Sequence, residues 1–167
     1  VSACASCDAK PTNSKGTRPM NPRFGTPPRR HQTYRPRPGV YAILPGKTGL
    51  LLTLQDAPEP EFQLPGGGID PGESPLQALH REVSEETGWK IGGARRLGVY
   101  RRFAYMPEYD MWAEKICTVF VAVPVLQLSE PTEPGHSVIW ASADQAVDLL
   151  ASSGDAAFVT RYIQSLR

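Results

Sequence analysis

Cysteine is scarce in this chain. Cys4, Cys7 and Cys117 are the only three in 167 residues, too few and too unevenly spaced for a disulfide scaffold. Cys4 and Cys7 form a CxxC, which is half of a zinc site at most. A second CxxC is lacking, and His31 and Cys117 could complete a site only through the fold. Cys117 lies in an apolar run and is expected in the core. Long hydrophobic stretches are lacking too. No run of 18 apolar residues occurs, which excludes a transmembrane helix of ordinary length. No apolar stretch follows a basic start, so no signal peptide is expected and a cytoplasmic location is the default. Internal repeats are absent. Overall charge is nearly absent as well, at +1.

That near-neutrality hides a split. Residues 1–38 hold eight Lys and Arg against Asp8 alone, a charge of +7, which leaves −6 for the remainder. The same segment is rich in Pro and has no hydrophobic periodicity. It reads as an extended or disordered arm. Such an arm serves as a nucleic-acid or phosphate-binding tail, as a strap across a homodimer partner, or as a solvated leader. Its removal is expected to change little on small substrates.

The globular domain is expected over residues 39–167, a length suited to one core. GVYAIL (39–44), the stretch 49–55 and the short 62–64 read as strands. Another strand is expected within 94–105. KICTVFVAVPVL (115–126) is the strongest strand signal, and 138–140 a short one. Ser142 is placed to cap a helix reaching about Leu150, with Gln145 at the capping-box position. Asp155 is placed to cap a last helix striped by Phe158, Val159, Tyr162, Ile163 and Leu166. Strands on both sides of a central helix, with helices at the end, give an α/β chain with a mixed sheet covered by helices.

The central helix carries the chemistry. Gly66, Gly67, Gly68, Pro71 and Gly72 make a tight lead-in. Ser74 is a good N-cap, Pro75 suits the first helical position, and Gln77 completes a capping box. The helix should run from about Pro75 to Thr87 and stop at Gly88. Leu76, Leu79 and Val83 then share an apolar face. Glu82, Glu85 and Glu86 share a second face. Three carboxylates there repel one another, and the C-terminal end of a helix disfavours negative charge. A divalent cation removes that conflict, and oxygen ligands of this kind suit Mg²⁺ or Mn²⁺. A merely solvated acidic face is the plain alternative.

Gly67, Glu73, Arg81, Glu82, Val83, Glu85, Glu86, Gly88 and Trp89 follow one spacing: G, five residues, E, seven residues, then REVSEETGW. This resembles the Nudix box, the signature of hydrolases that cleave nucleoside diphosphates linked to another moiety. Every fixed position is filled, although Trp89 is a less usual hydrophobic choice. The resemblance implies an α/β/α sandwich, with a mixed β-sheet and the box as a loop–helix–loop catalytic motif. It implies Mg²⁺-dependent hydrolysis of a phosphoanhydride in a nucleotide, of the ADP-ribose or dinucleoside polyphosphate type. The alternatives are a nucleoside triphosphate pyrophosphohydrolase and, from another class, a non-catalytic nucleotide- or RNA-binding module.

By that resemblance Glu82 and Glu86 are metal ligands, and Glu85 is a third ligand or the carboxylate that activates water. The Gly67 carbonyl adds a ligand, and Arg81 pairs with Glu73 across the loop–helix junction. Glu130, Glu133 and His136, before the last strand, are further candidates for the base, with Glu85 preferred. Arg101, Arg102, Phe103, Tyr105, Tyr109 and Trp112 of the segment 101–112, and Glu133 from the later loop, are candidates for substrate binding, because arginines pair with phosphate and aromatic faces stack on bases; an ordinary aromatic-containing hairpin is the plain alternative. Tyr105 and Pro107 both lie near positions that distinguish substrate classes in the family, and do not choose between them.

Overall fold

A computed structural model describes residues 21–56 and 59–167. Cys4 and Cys7, and most of the basic arm, lie outside the described residues.

Two sheets form the frame. The first has four strands in the order β4 (Gly66–Gly68), β1 (Arg35–Ile43), β6 (Met111–Gln127), β5 (Trp89–Met106). The second has three, in the order β3 (Glu61–Gln63), β2 (Leu50–Gln55), β7 (His136–Ala141). Among the named strand pairs β1 and β6 run parallel and the others antiparallel. The sheet system is therefore mixed, as expected.

Alternation along the strands assigns side chains to two cores. Val40 and Ala42 of β1 point to one face and pack with Ala78, Leu79 and Val83 of helix α1 (Pro75–Thr87). Tyr41 and Ile43 point to the other face and pack with Phe158, Val159 and Tyr162 of α3 (Ser153–Gln164). The second sheet divides likewise: Leu51 joins the α1 core, while Leu50 and Leu52 join the α3 core. Helix α2 (Ala143–Leu149) buries Ala146 in that second core. Helices thus cover both faces, giving the expected α/β sandwich. Among the described residues no helix is long and apolar enough to cross a membrane.

Helix α1 has the bounds its capping residues dictate. Ser74 Oγ accepts from the Gln77 N–H at 3.3 Å, and Gln77 Oε1 accepts from the Ser74 N–H at 2.9 Å. Gly88 ends the helix at φ 72°. Leu76 does not belong to the buried face, being 47% exposed; Ala78 takes its place.

Other expectations need correction. β1 begins at Arg35, not Gly39, because 35–38 pair with Ala113–Ile116 of β6. The chain ahead of it also touches the fold: the Phe24 N–H donates to Arg101 O and the Arg101 N–H to Pro22 O, both at 2.9 Å. The glycine lead-in is a strand, β4, laid against β1. A Cβ on Gly66 would sit 2.1 Å from Val40 O, so only glycine permits that approach. The last helix is capped by Ser152, whose hydroxyl accepts from the Asp155 N–H. Asp155 is instead buried and accepts from Tyr100 Oη at 2.7 Å. Leu166 lies past the helix end and is 67% exposed. Cys117 is a buried free thiol, as expected.

Candidate active site

Helix α1 carries Arg81, Glu82, Glu85 and Glu86 within its last two turns. Arg81 is the hub. Its Nε and Nη2 grip the two carboxylate oxygens of Glu73 at 3.0 and 2.8 Å, and Nη2 also donates to Gly68 O at 3.1 Å. Nη1 donates to Glu82 Oε1 at 2.8 Å and to Glu85 Oε2 at 3.2 Å. One planar guanidinium therefore ties the lead-in loop to two helix carboxylates, which the fork geometry of Arg allows and a lysine would not. The Arg81 hydrogen bond holds the Glu73 carboxyl below the usual carboxylate range.

Glu82 and Glu86 are buried, while the Glu85 side chain is 43% exposed. The Glu82 carboxylate lies against Gly67, where an added Cβ would fall 2.5 Å from Oε2. Glu86 Oε2 accepts from the Gly66 N–H at 2.9 Å. Burial raises the Glu82 pKa against the pull of Arg81, and Glu133 and Glu85 add to the rise. Burial likewise pushes Glu86 up to about 8, the Gly66 N–H opposing it and Glu133, Glu82 and Glu85 reinforcing it. The buried face is an accumulation of negative charge with one cation beside it, which is costly in a folded chain.

A loop from another part of the chain completes the cluster. After β6, the Leu128 N–H donates to Gly88 O at 2.8 Å. The N–H groups of Thr132 and Glu133 both donate to Glu85 O, at 2.8 and 3.1 Å. The loop thus satisfies carbonyls left open at the end of α1 and swings Glu133 onto the carboxylates. Ligand atoms of Glu82, Glu85 and Glu133 all lie within 4.8 Å of one another, as do those of Glu86, Glu133 and His136. His136 Nε2 is 3.5 Å from Glu86 Oε1.

Two openings meet at this cluster. An inner cleft of about 220 Å³ runs between the sheets from Glu82, Glu86 and Glu133 to Arg37, Tyr109 and Lys115, with Gln55 and Gln63 along one wall. An outer groove is lined by Arg81, Glu82, Glu85, Thr132 and Glu133. Glu82 and Glu133 line both.

The box residues Gly67, Glu73, Arg81, Glu82, Glu85 and Glu86 are thus brought together, and Glu133 and His136 join them. Glu130 is exposed and lines neither opening. Arg101, Arg102, Phe103 and Tyr105 do not line the cleft. Arg101 pairs with Glu114 on the outer face of the β5–β6 hairpin. Phe103 packs edge-on against Tyr34 at 4.8 Å. Tyr105 is bonded to Asp110 at the hairpin tip. Arg102 lies inside, behind Lys115, and borders a separate cavity with Phe24 and Ser152. Of the substrate contacts expected in that segment only Tyr109 lines the cleft, joined by Arg37, Met106 and Lys115, which the sequence did not single out. For Lys115 a signal existed: it shares strand parity with Cys117 and Val119, so a charge stands where alternation calls for a core residue.

The donor set fits a divalent cation. It consists of hard carboxylate oxygens, it is partly buried, and Arg81 compensates only part of its charge. Glu82, Glu85, Glu86 and Glu133 are the residues that would hold such an ion.

Comparison with known proteins agrees with this picture. The NUDIX domain family model matches residues 33–162. A Bacillus subtilis (strain 168) protein, provisionally named an 8-oxo-dGTP diphosphatase, is 34% identical over 74 residues, covering 44% of this chain and 50% of its own. An RNA pyrophosphohydrolase of Cereibacter sphaeroides is 47% identical over 57 residues, covering 33% and 34% respectively. The chain therefore spans only about a third to a half of these curated relatives. Among solved structures, a NUDIX hydrolase from Nitrosomonas europaea superposes at TM-score 0.65 with 21% identity, covering 80% of this chain and 92% of its own. With the box filled, its sandwich in place and the family match running through most of its length, this chain belongs to the NUDIX domain family.

Proposed function

We propose that this chain hydrolyses a phosphoanhydride bond in a nucleotide, with Glu82, Glu85 and Glu86 holding Mg²⁺, for which Mn²⁺ can substitute. A single observation carries the reading: Glu82 and Glu86 are both buried, both raised in pKa, and both exposed to one cleft. Two buried acids at the mouth of a cleft serve no packing purpose, and a cation with a phosphate chain accounts for both.

A bound divalent ion would neutralise phosphate oxygens and lower the pKa of a coordinated water. The chain's own groups do the rest. Arg81 fixes the Glu82 and Glu85 carboxylates in position through Nη1. Glu85 Oε2 is engaged by that bond, whereas no hydrogen bond to the Glu133 carboxylate is formed among the described residues. Glu133 is therefore the better placed of the two to accept the proton of the attacking water, in place of Glu85, the preference from sequence. Water oxygen bonds to phosphorus, its proton passes to the Glu133 carboxylate, and the bridging P–O bond breaks to release a phosphate fragment.

The names of the relatives, an 8-oxo-dGTP diphosphatase and RNA pyrophosphohydrolases, favour a nucleoside triphosphate or an RNA over ADP-ribose as substrate. A binding module without activity is disfavoured because it has no need of Glu82, Glu85, Glu86 and Glu133 together. Incubation with Mg²⁺ and a panel of nucleoside triphosphates, diadenosine polyphosphates and ADP-ribose tests the proposal. Release of phosphate or nucleoside monophosphate is expected, and Glu82→Gln should reduce it by orders of magnitude in a folded protein. An intact panel with both Mg²⁺ and Mn²⁺ would overturn it.

A further inference from the structure

One arginine of the first sheet has no part in the carboxylate site. Arg102 of β5 is directly opposite Lys115 of β6, and like charges directly opposite one another are unfavourable. Tyr41, Tyr100, Cys117 and Asp155 act on its charge as well. Asp155 is the one carboxylate among these, and it accepts from Tyr100 Oη at 2.7 Å. Among the described residues Arg102 has no carboxylate within ion-pair range, and its Nε is buried without a hydrogen-bond partner. Its neighbour Arg101, on the other face of the strand, is matched by Glu114. A shielded guanidinium without a partner is costly and calls for an explanation.

Arg102 borders a cavity of about 190 Å³ that is separate from the cleft. The wall takes Arg102 and Phe103 from β5, Phe24 and Thr26 from the segment ahead of β1, and Ser152 and Ser153 from the start of α3. Thr26 and Ser153 are exposed, so the cavity reaches the surface. No carboxylate lines it among the described residues. It offers a cation and hydroxyl groups, and it has room for far more than one water, whose share of liquid volume is about 30 Å³. A second cavity of about 270 Å³ shares Phe24, Thr26 and Phe103 with the first and adds Arg23, Pro27 and Pro28, again without a carboxylate. Both cavities therefore favour an anion, and the second also presents an apolar wall.

We infer that the cavity beside Arg102 is a phosphate-binding site outside the carboxylate cleft, in which Arg102 holds the phosphate and the hydroxyls of Thr26 and Ser153 complete its contacts. The planar fork of a guanidinium matches two phosphate oxygens at once, and hydroxyls donate to a third. The phosphate is either free or borne by a small organic molecule. In the second case the neighbouring cavity, walled by Phe24, Pro27, Pro28 and Phe103, would seat the apolar body. Phe24 and Thr26 belong to the segment whose main chain is bonded to Arg101 of β5, so a phosphate here also fastens that segment to the start of α3. The site is independent of the proposed hydrolysis: it uses no residue of the carboxylate cluster, and it survives if no anhydride is cut.

The test uses the full chain in EDTA at constant ionic strength. Inorganic phosphate and AMP are titrated calorimetrically into the wild type, Arg102→Gln and Ser153→Glu. Two controls carry the same charge change as Arg102→Gln: Arg96→Gln on the exposed part of β5 and Arg37→Gln in the cleft. Saturable binding by the wild type is expected, with a melting temperature that rises with ligand concentration. Arg102→Gln and Ser153→Glu should each weaken binding about tenfold or more, as befits loss of a charge-assisted contact or gain of a repulsive one, and the controls should change it little. Ser153 is the first residue of α3, where an acid suits the helix, so Ser153→Glu carries the test if Arg102→Gln does not fold. Tighter binding of AMP than of phosphate would support the site with an organic phosphate as occupant, and equal or weaker binding of AMP would support it with free phosphate. Absence of binding by both ligands, equal weakening by Arg37→Gln or Arg96→Gln, or undiminished binding by Ser153→Glu would overturn the inference.

Discussion

The backbone N–H of Glu133 donates to the carbonyl of Glu85 at 3.1 Å, so the loop before β7 is fastened to the last turn of α1 by main chain. The side chain of Glu133 is held over the helix carboxylates whatever residue it carries. Glu133→Gln should therefore fold and melt no lower than the wild type, since it also removes a charge that Glu82 and Glu86 feel. Turnover should fall by roughly 10²–10⁴-fold, the usual scale for loss of a general base. Steady-state kcat and a thermal melt check both halves, and near-normal kcat would return the role to Glu85.

Gly88 fixes that docking from the other side. It sits at φ 72°, and an added Cβ would lie 1.8 Å from Ser129 O. Gly72, at φ 84°, has nothing within 4 Å of its Cβ position. Both would feel the left-handed backbone penalty of about 1–2 kcal/mol, but only Gly88→Ala also forces the loop away. Gly88→Ala should lose markedly more stability than Gly72→Ala in urea unfolding, and lose turnover beyond what stability explains. Equal losses would mean that the loop gives way freely.

Glu86 should make the metal-free protein less stable as pH rises. Its ordinary pKa is 4.5, and burial pushes it up to about 8 in the folded chain. Between those values the folded state holds a proton that the unfolded state has released. Stability contributed by this group is therefore full below about pH 4.5 and falls until about pH 8. In EDTA, Glu86→Gln should melt higher than the wild type at pH 8, and the gap should close towards pH 4.5. Melting curves across that range, with the wild type as reference, decide it; a gap independent of pH would contradict the burial argument.

Truncation should discriminate within the basic segment. A chain beginning at residue 39 lacks the Arg35–Pro38 pairing with β6 and the packing of Phe24 on Tyr100. A chain beginning at residue 21 keeps both. The shorter chain should melt well below the longer one, and would also lose Arg37 from the cleft. Equal melting temperatures would show that these contacts add nothing.

Local rules explain what was legible. Helix α1 could be bounded to the residue because Ser74, Pro75, Gln77 and Gly88 each act on neighbouring backbone. The carboxylate cluster followed from helical periodicity and the box spacing. Apolar, β-branched runs bounded by turn residues found the strands, and the mixed sheet followed from their order. Non-local facts were not legible. Asp155 looked like a cap because its own neighbourhood permits it; its burial under Tyr100 depends on a strand far away in sequence. The arginines and aromatics of 101–105 looked like substrate contacts by composition, yet strand facing sends Arg101 outward and Phe103 onto Tyr34. Arg37 was assigned to an extended or disordered arm because residues 1–38 are rich in Pro and lack hydrophobic periodicity. Its pairing with β6 is a tertiary outcome.

The carboxylates of Glu82 and Glu133 form a wall shared by the inner cleft and the outer groove. Under the proposed activity, a substrate cut at that wall would leave one piece on each side of it, and the piece in the groove would have a way out that does not pass the piece in the cleft.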